Sequence, residues 1–194
     1  VCGSEGTLAV VVRATVKIVR KPSCTGLAIL GFDSVPAALA PLGKMLASGP
    51  SAVELVDDVV IDTALANNEY RHYVEVLPQP ASGKLGAVMY VEFQAESMDA
   101  VRAGFDRLRA ALPDAPMQRH EDAKTLANAW KLRKAGEPLL HGVPGDRKPV
   151  TFVEDTAVDP VKLSAFVDEF RAIVASHGTK AAYYAHASVG CLHI

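Results

Sequence analysis

Between residues 10 and 19 the chain alternates Val12, Ala14, Val16 and Ile18 with Arg13, Thr15 and Lys17, the period of a strand with one buried face. Lys21-Pro22 ends that pattern. After Pro22 short apolar runs take turns with amphipathic stretches. Residues 27–30 form a buried strand, and Ser34 caps a helix carrying Leu39, Leu42 and Leu46 that stops at Ser48-Gly49-Pro50. Residues 53–61 predict the next strand, with 87–93 as its sheet neighbour across a long polar stretch containing Pro78, Pro80 and Gly83.

The second half continues in the same manner. Ser97 opens a helix with Val101, Phe105, Leu108 and Leu112 on one face before Pro113, and a second helix over 122–137 is interrupted at Pro138. Residues 150–158 read as a strand. Asp159-Pro160 is an N-cap followed by proline, and Leu163, Phe166, Val167, Phe170 and Ile173 make an apolar stripe ending before Gly178. Residues 180–194 predict a last strand broken at Gly190. Helices with a single apolar face and strands of this length imply an α+β fold, an antiparallel sheet with helices on one face. The split βαβ, ferredoxin-like topology is the simplest that uses them all.

Composition narrows the class. The 194 residues are 49% hydrophobic and 22% charged, ordinary globular material. Twenty basic and twenty-two acidic side chains, interspersed, give a net charge of -2 and make nucleic acid and anionic membrane poor partners. No apolar run approaches the roughly 20 residues of a transmembrane segment. Cys2, Cys24 and Cys191 are odd in number and far apart, which fits a reducing, cytoplasmic setting.

Few residues carry candidate chemistry. His186 and His193 are seven apart, so a regular strand would put them on opposite faces; Ala187-Ser188-Val189-Gly190 supplies the residues for a bulge or turn that would bring them to one ion. One packed and one exposed histidine is the favoured reading of the spacing alone. Arg133 shares a helical face with Leu126, Trp130 and Glu137. It can clamp a carboxylate or pair with Glu137 at i,i+4, and the pair is the favoured reading of the spacing. Glu54, Asp57 and Asp58 can bind a cation or serve in salt bridges, and the turn Gly3-Ser4-Glu5-Gly6-Thr7 can present N–H groups to an anion.

Taken in order, Gly3-Ser-Glu-Gly-Thr-Leu8, Trp130-Lys-Leu-Arg133, Phe152-Val-Glu-Asp-Thr-Ala-Val-Asp-Pro160 and His186-Ala-Ser-Val-Gly-Cys-Leu-His193 resemble the FAD-linked oxidases of the vanillyl-alcohol oxidase superfamily. More narrowly, the chain is similar to the group containing the glycolate oxidase flavoprotein subunit, D-lactate dehydrogenase and D-2-hydroxyglutarate dehydrogenase. The resemblance implies that residues 1–22 are the end of an FAD-binding domain, with Gly3, Ser4, Gly6 and Thr7 against the cofactor. Residues 23–194 would be the substrate (cap) domain, cut short at its C-terminal end. Arg133 would hold the carboxylate of a 2-hydroxy acid, and His186 and His193 a divalent metal, usually zinc, with a glutamate ligand and a histidine base beyond Ile194.

By the same resemblance the implied activity is oxidation of a 2-hydroxy acid of the D-2-hydroxyglutarate, D-lactate or glycolate type by hydride transfer to FAD. Its partners would be the upstream FAD-binding domain and a fused or associated iron-sulfur electron-transfer module, through which the protein could sit at the periphery of a membrane. The chain departs from the commoner His-x-Gly-Asp-Gly-Asn-Leu-His segment at Ser188, Val189 and Cys191, so the contacts around the histidines must differ. It also has Val153 where some relatives carry a lysine for the distal carboxylate, a role Arg147 or Lys148 could take. The competing expectation is a non-catalytic ferredoxin-like binding domain, in which Arg133 and the two histidines would point to unrelated surfaces.

Overall fold

The computed structural model describes residues 6–79, 83–146 and 148–194. Its first half runs β1 (Cys24–Phe32), α1 (Val35–Leu39), α2 (Leu42–Ala47), β2 (Ala52–Asp57), α3 (Asp58–Ala66), a 3-10 segment (Arg71–Val76) and β3 (Ala87–Ala95). There follow α4 (Met98–Ala111), β4 (Met117–His120), α5 (Ala123–Lys134), α6 (Gly136–His141), α7 (Leu163–Ser176), β5 (Tyr184–His186) and β6 (Cys191–His193). The strands form one antiparallel sheet in the order β4-β1-β3-β2-β5-β6. Its first four strands are the expected split βαβ unit: β3 lies between β1 and β2 and is antiparallel to both. β5 and β6 extend the sheet beyond β2.

Local sequence explains the element ends. Ser34, Asp57, Ser97 and Asp122 each accept a backbone N–H from the first turn of the helix that follows. Pro41 divides the single helix expected after Ser34 into α1 and α2. The helix expected over 122–137 ends at Lys134, and Pro138 sits in the first turn of α6, where its missing N–H costs no intrahelical bond.

The strands bury both faces, in alternation. Ala28, Leu30, Val53, Leu55, Met89 and Val91 meet α1, α2, α4 and α7 on one side. Leu27, Ile29, Val56, Val88 and Tyr90 meet α3, α5 and α6 on the other. The crossover helices of the βαββαβ unit thus share one face as expected, whereas α3, α5 and α6 cover the second. On the first face α4 packs tightly because residue 104 is glycine: a Cβ there would stand 2.4 Å from the ring of Phe93, which itself packs edge-on to Phe105.

Several expectations are corrected. Residues 10–19 form no strand: Val10, Val12, Val16 and Ile18 are at least 74% exposed, because alternation specifies a strand only where a sheet receives it and, among the described residues, no strand does. The strand expected over 53–61 ends at Asp57, whose side chain caps α3, so its second half is helix. Residues 150–158 run beside β6 without becoming a strand; the ties are Thr156 N and Val158 N to the carbonyls of Leu192 and Gly190, and Ile194 N to that of Val153. β4 was not expected at all, since Met117-Gln-Arg-His120 has no apolar alternation.

Candidate active site

The site is built on β2, α5 and the β5–β6 hairpin. Glu54 occupies the middle of β2 between Val53 and Leu55, on the face opposite theirs, and is 7% exposed. Arg133, in the last turn of α5, is 8% exposed and donates through Nη2 to Glu54 Oε2 at 2.8 Å. It does not pair with Glu137, which stands 3.8 Å from His141 in α6. The guanidinium also lies over the ring of Tyr184, 5.1 Å from its centre. Among the described residues its Nε and the nearby hydroxyl of Tyr90 are buried with no hydrogen-bond partner, a state that native structures seldom leave without a reason. Burial drives the Tyr90 hydroxyl pKa upward despite the opposing charge of Arg133, so Tyr90 is a neutral phenol.

The histidines meet on this same face. A 3-10 turn at Ala187–Val189 and Gly190, at φ +70°, fold residues 184–193 into a hairpin in which His186 pairs with Cys191 and Tyr184 with His193. A Cβ at residue 190 would stand 1.6 Å from the Val158 carbonyl oxygen, so glycine is required twice over. The hairpin converts an odd spacing into a shared face: the two rings are 5.3 Å apart at 85°. Tyr184 stacks on His193 at 4.8 Å, and Ala185 and Leu192 point the other way into the core.

Each histidine is oriented by a carboxylate. Glu54 is 2.9 Å from His186 Nδ1 through both of its oxygens, so one buried carboxylate holds both Arg133 and His186. Glu154 bonds His193 Nδ1, and Asp155 Oδ1 stands 4.0 Å from the same atom. A neutral histidine that gives Nδ1–H to a carboxylate keeps Nε2 unprotonated, the tautomer that ligates metal. Two imidazoles on one tetrahedral ion, bound at about 2.0–2.1 Å, have ring centres roughly 5 Å apart, a separation close to the 5.3 Å between these two rings. Cys191, on the same face, has its thiol pKa raised by burial first and by the Asp155 carboxylate second.

The remaining expected residues are less engaged. Gly6, at φ +74°, and Thr7 are exposed in a turn, with nothing within 4 Å of where a Cβ at Gly6 would stand. Gly3, Ser4 and Arg147 lie outside the described residues. Lys148 bonds the Val143 carbonyl at 2.5 Å, close to it in sequence. His120 is buried and tied to the Val76 carbonyl at 2.8 Å, a packing role. Two hollows, of about 240 and 210 Å³, are lined by Asp57, Arg171 and Lys180 and by Leu65, Pro78 and Lys84; neither touches Arg133 or the histidines.

Sequence reasoning singled out Arg133, His186 and His193 and considered Glu54, but not its partners. The available signal was a charged residue inside the apolar run Val53-Glu-Leu-Val56, since a carboxylate on a central strand requires a buried cation. Glu154 as partner of His193, and Tyr184, were missed.

A family model described as FAD linked oxidases, C-terminal domain, matches residues 21–194. The chain belongs to that family. It is 30% identical over 202 residues to the D-2-hydroxyglutarate dehydrogenase of Escherichia coli (strain K12), covering 99% of this chain and 20% of that protein. The D-2-hydroxyglutarate dehydrogenase of Pantoea ananatis is 28% identical, over 100% of this chain and 20% of its own length. Glycolate oxidase subunit GlcD of Bacillus subtilis is 26% identical over 98% of this chain and 39% of its own. The chain thus spans about a fifth of the length of these two dehydrogenases. Among solved structures, an alkyldihydroxyacetonephosphate synthase aligns with a TM-score of 0.57 at 14% identity over 89% of this chain and 35% of the other, a likeness of fold. The family resemblance seen in the sequence is therefore established, and the α+β cap-domain fold with it. Among the described residues no helix is long and apolar enough to cross a membrane.

Proposed function

We propose that residues 23–194 are the substrate domain of an FAD-dependent oxidoreductase that oxidises a 2-hydroxy acid, and that residues 1–22 end its FAD-binding domain. The carrying observation is convergence: Arg133, His186 and His193 lie on one face, joined through Glu54 and Tyr184. In this reading Arg133 receives the substrate carboxylate, fixing the acid in place. His186 and His193 hold a zinc-class ion that would lower the pKa of the substrate hydroxyl. FAD, held on the preceding domain with Gly3, Ser4, Gly6 and Thr7 beside it, supplies the hydride acceptor. Glu54 keeps the carboxylate-binding and hydroxyl-binding halves at a fixed separation, and Glu154 steadies His193.

The names of the relatives favour D-2-hydroxyglutarate, with glycolate and D-lactate as the related substrates to compare. An iron-sulfur electron-transfer module belongs to the same reading as the next electron carrier. The test is a longer protein that includes the preceding domain. It should be yellow and reduce an artificial acceptor with one of these acids, and Arg133→Ala should raise KM for the acid far more than it alters flavin content. A longer protein that binds no flavin, or an Arg133→Ala variant with unchanged kinetics, overturns the reading.

A further inference from the structure

The site contains a thiol that the two-histidine reading does not use. Cys191 precedes His193 by two residues on β6, so the strand period puts both on the face opposite the buried Leu192. Cys191 also pairs in register with His186 across the hairpin. A third donor arrives from residues 153–158, held along β6 by Ile194 N to the Val153 carbonyl at 3.0 Å, Leu192 N to Thr156 Oγ1 at 3.1 Å and Val158 N to the Gly190 carbonyl at 2.9 Å. On that segment Asp155 takes φ +51°, uncommon for a residue with a side chain, and its Oδ1 lies 3.7 Å from Cys191 Sγ. The ligand atoms of Asp155, Cys191 and His193 all lie within 4.8 Å of one another.

We propose that Cys191, with His193 and Asp155, forms a three-donor site for a zinc-class divalent ion, so that this chain supplies a thiolate ligand of its own. Donors around a tetrahedral zinc, with bonds of about 2.0–2.3 Å, stand roughly 3.3–3.8 Å apart. Drawing donors that lie within 4.8 Å of one another to those separations takes movements on the order of an ångström, with Glu154 releasing Nδ1 where that nitrogen is the ligand, and Asp155 is exposed and able to move. The donor chemistry selects the ion: sulfur, imidazole and carboxylate together suit zinc and its tetrahedral analogues, whereas magnesium and calcium take oxygen. Thiolate and carboxylate together neutralise a divalent charge. Three protein donors leave one position for His186, water or a substrate hydroxyl.

The inference rests on the reading that His186 and His193 serve a metal, and departs from it in drawing a further ligand from residue 191 rather than from a segment beyond Ile194. The probe is Co²⁺, titrated into the 194-residue chain kept reduced and free of other metals. Thiolate ligation gives a near-ultraviolet sulfur-to-cobalt charge-transfer band alongside intense visible bands of tetrahedral cobalt. Cys191→Ser should abolish the charge-transfer band and weaken Co²⁺ binding at least about tenfold. A variant with Cys2 and Cys24 replaced by serine should keep both.

Each other result is decisive in a different way. Cobalt bound with no charge-transfer band in the unaltered chain overturns the thiolate site while leaving the histidine reading standing. A band lost with Cys2 or Cys24 but kept in Cys191→Ser overturns it as well. A chain that binds no cobalt overturns the three-donor site, while the two-histidine reading, which expects a glutamate ligand from outside these residues, is then judged on the longer protein. Because the first spectrum is taken on the unaltered chain, a poorly folding variant does not remove the test.

Discussion

Arg133 and Glu54 lie 79 residues apart in sequence and 2.8 Å apart in space, each less than a tenth exposed. Desolvating two charges cancels much of their attraction, so such a pair contributes placement more than net stability. Removing one partner is another matter, because the survivor is left charged and buried. Glu54→Ala should cost about 3–5 kcal/mol in urea unfolding with little change in m-value. Glu54→Gln, which keeps an acceptor for Arg133, should cost less. A loss below about 1 kcal/mol for Glu54→Ala would mean that Arg133 is hydrated or paired elsewhere.

Glu54 has a second contact, which makes the pair asymmetric. If Arg133 is replaced by methionine, Glu54 keeps His186 at 2.9 Å, a partner able to carry a positive charge. Arg133→Met should therefore destabilise the chain less than Glu54→Ala does. The double variant Glu54→Ala/Arg133→Met should be more stable than the sum of the single losses, with a coupling of about 0.5–3 kcal/mol. Strict additivity would show that the two side chains do not interact.

The regular parts of this arrangement were legible in local signals. Ser34, Ser97, Asp122 and Asp159 marked helix starts because capping is a contact between residues two or three apart. Residues 87–93 were correctly paired with β2, because a central strand reads as a continuous apolar run. What failed depended on distant partners. Residues 10–19 have strand composition, yet a strand exists only where another accepts its ladder, and 150–158 meets β6 through a few separated bonds and no continuous ladder. Asp57 ended β2 through a cap that the apolar run Val59-Val-Ile61 concealed. In the site, the turn that brings the histidines together could be read from Gly190, whereas the partnership of Glu54 with Arg133 and His186 requires three elements to be placed in space.

Gly190 is the residue on which that hairpin turns. Gly190→Ala would put a methyl group against the Val158 carbonyl and force a positive φ on a residue that resists it. The expected cost is at least about 2 kcal/mol, combining αL strain with displacement of residues 153–158. Divalent-metal affinity should fall together with stability, because His186, Cys191 and His193 owe their common face to this turn. A variant that lost stability but bound metal as before would separate the hairpin from the metal site.

A final consequence concerns pH. Asp57 is 1% exposed and accepts N–H groups from Val60 at 3.0 Å and Tyr183 at 2.6 Å. Burial nevertheless outweighs these bonds and pushes its pKa up to about 7, with the neighbouring Asp58 charge adding to the rise. An unfolded aspartate has its ordinary value of 3.8, so between about pH 4 and pH 7 the folded chain holds a proton that the unfolded chain has released. By linkage, the contribution of Asp57 to stability falls as pH rises through that window and levels off above it, by an amount on the order of 4 kcal/mol. Asp57→Asn is neutral throughout. It keeps one oxygen for the Val60 cap but turns an amide NH₂ toward Tyr183 N–H, which should cost about 1–3 kcal/mol at pH 5. Since only the native chain then loses stability through Asp57 as pH rises, the gap between the two should narrow toward pH 8. The difference between their unfolding free energies cancels the titrations they share. A gap that widened with pH would show that the fold favours the ionised carboxylate, with the Val60 and Tyr183 N–H groups prevailing over burial.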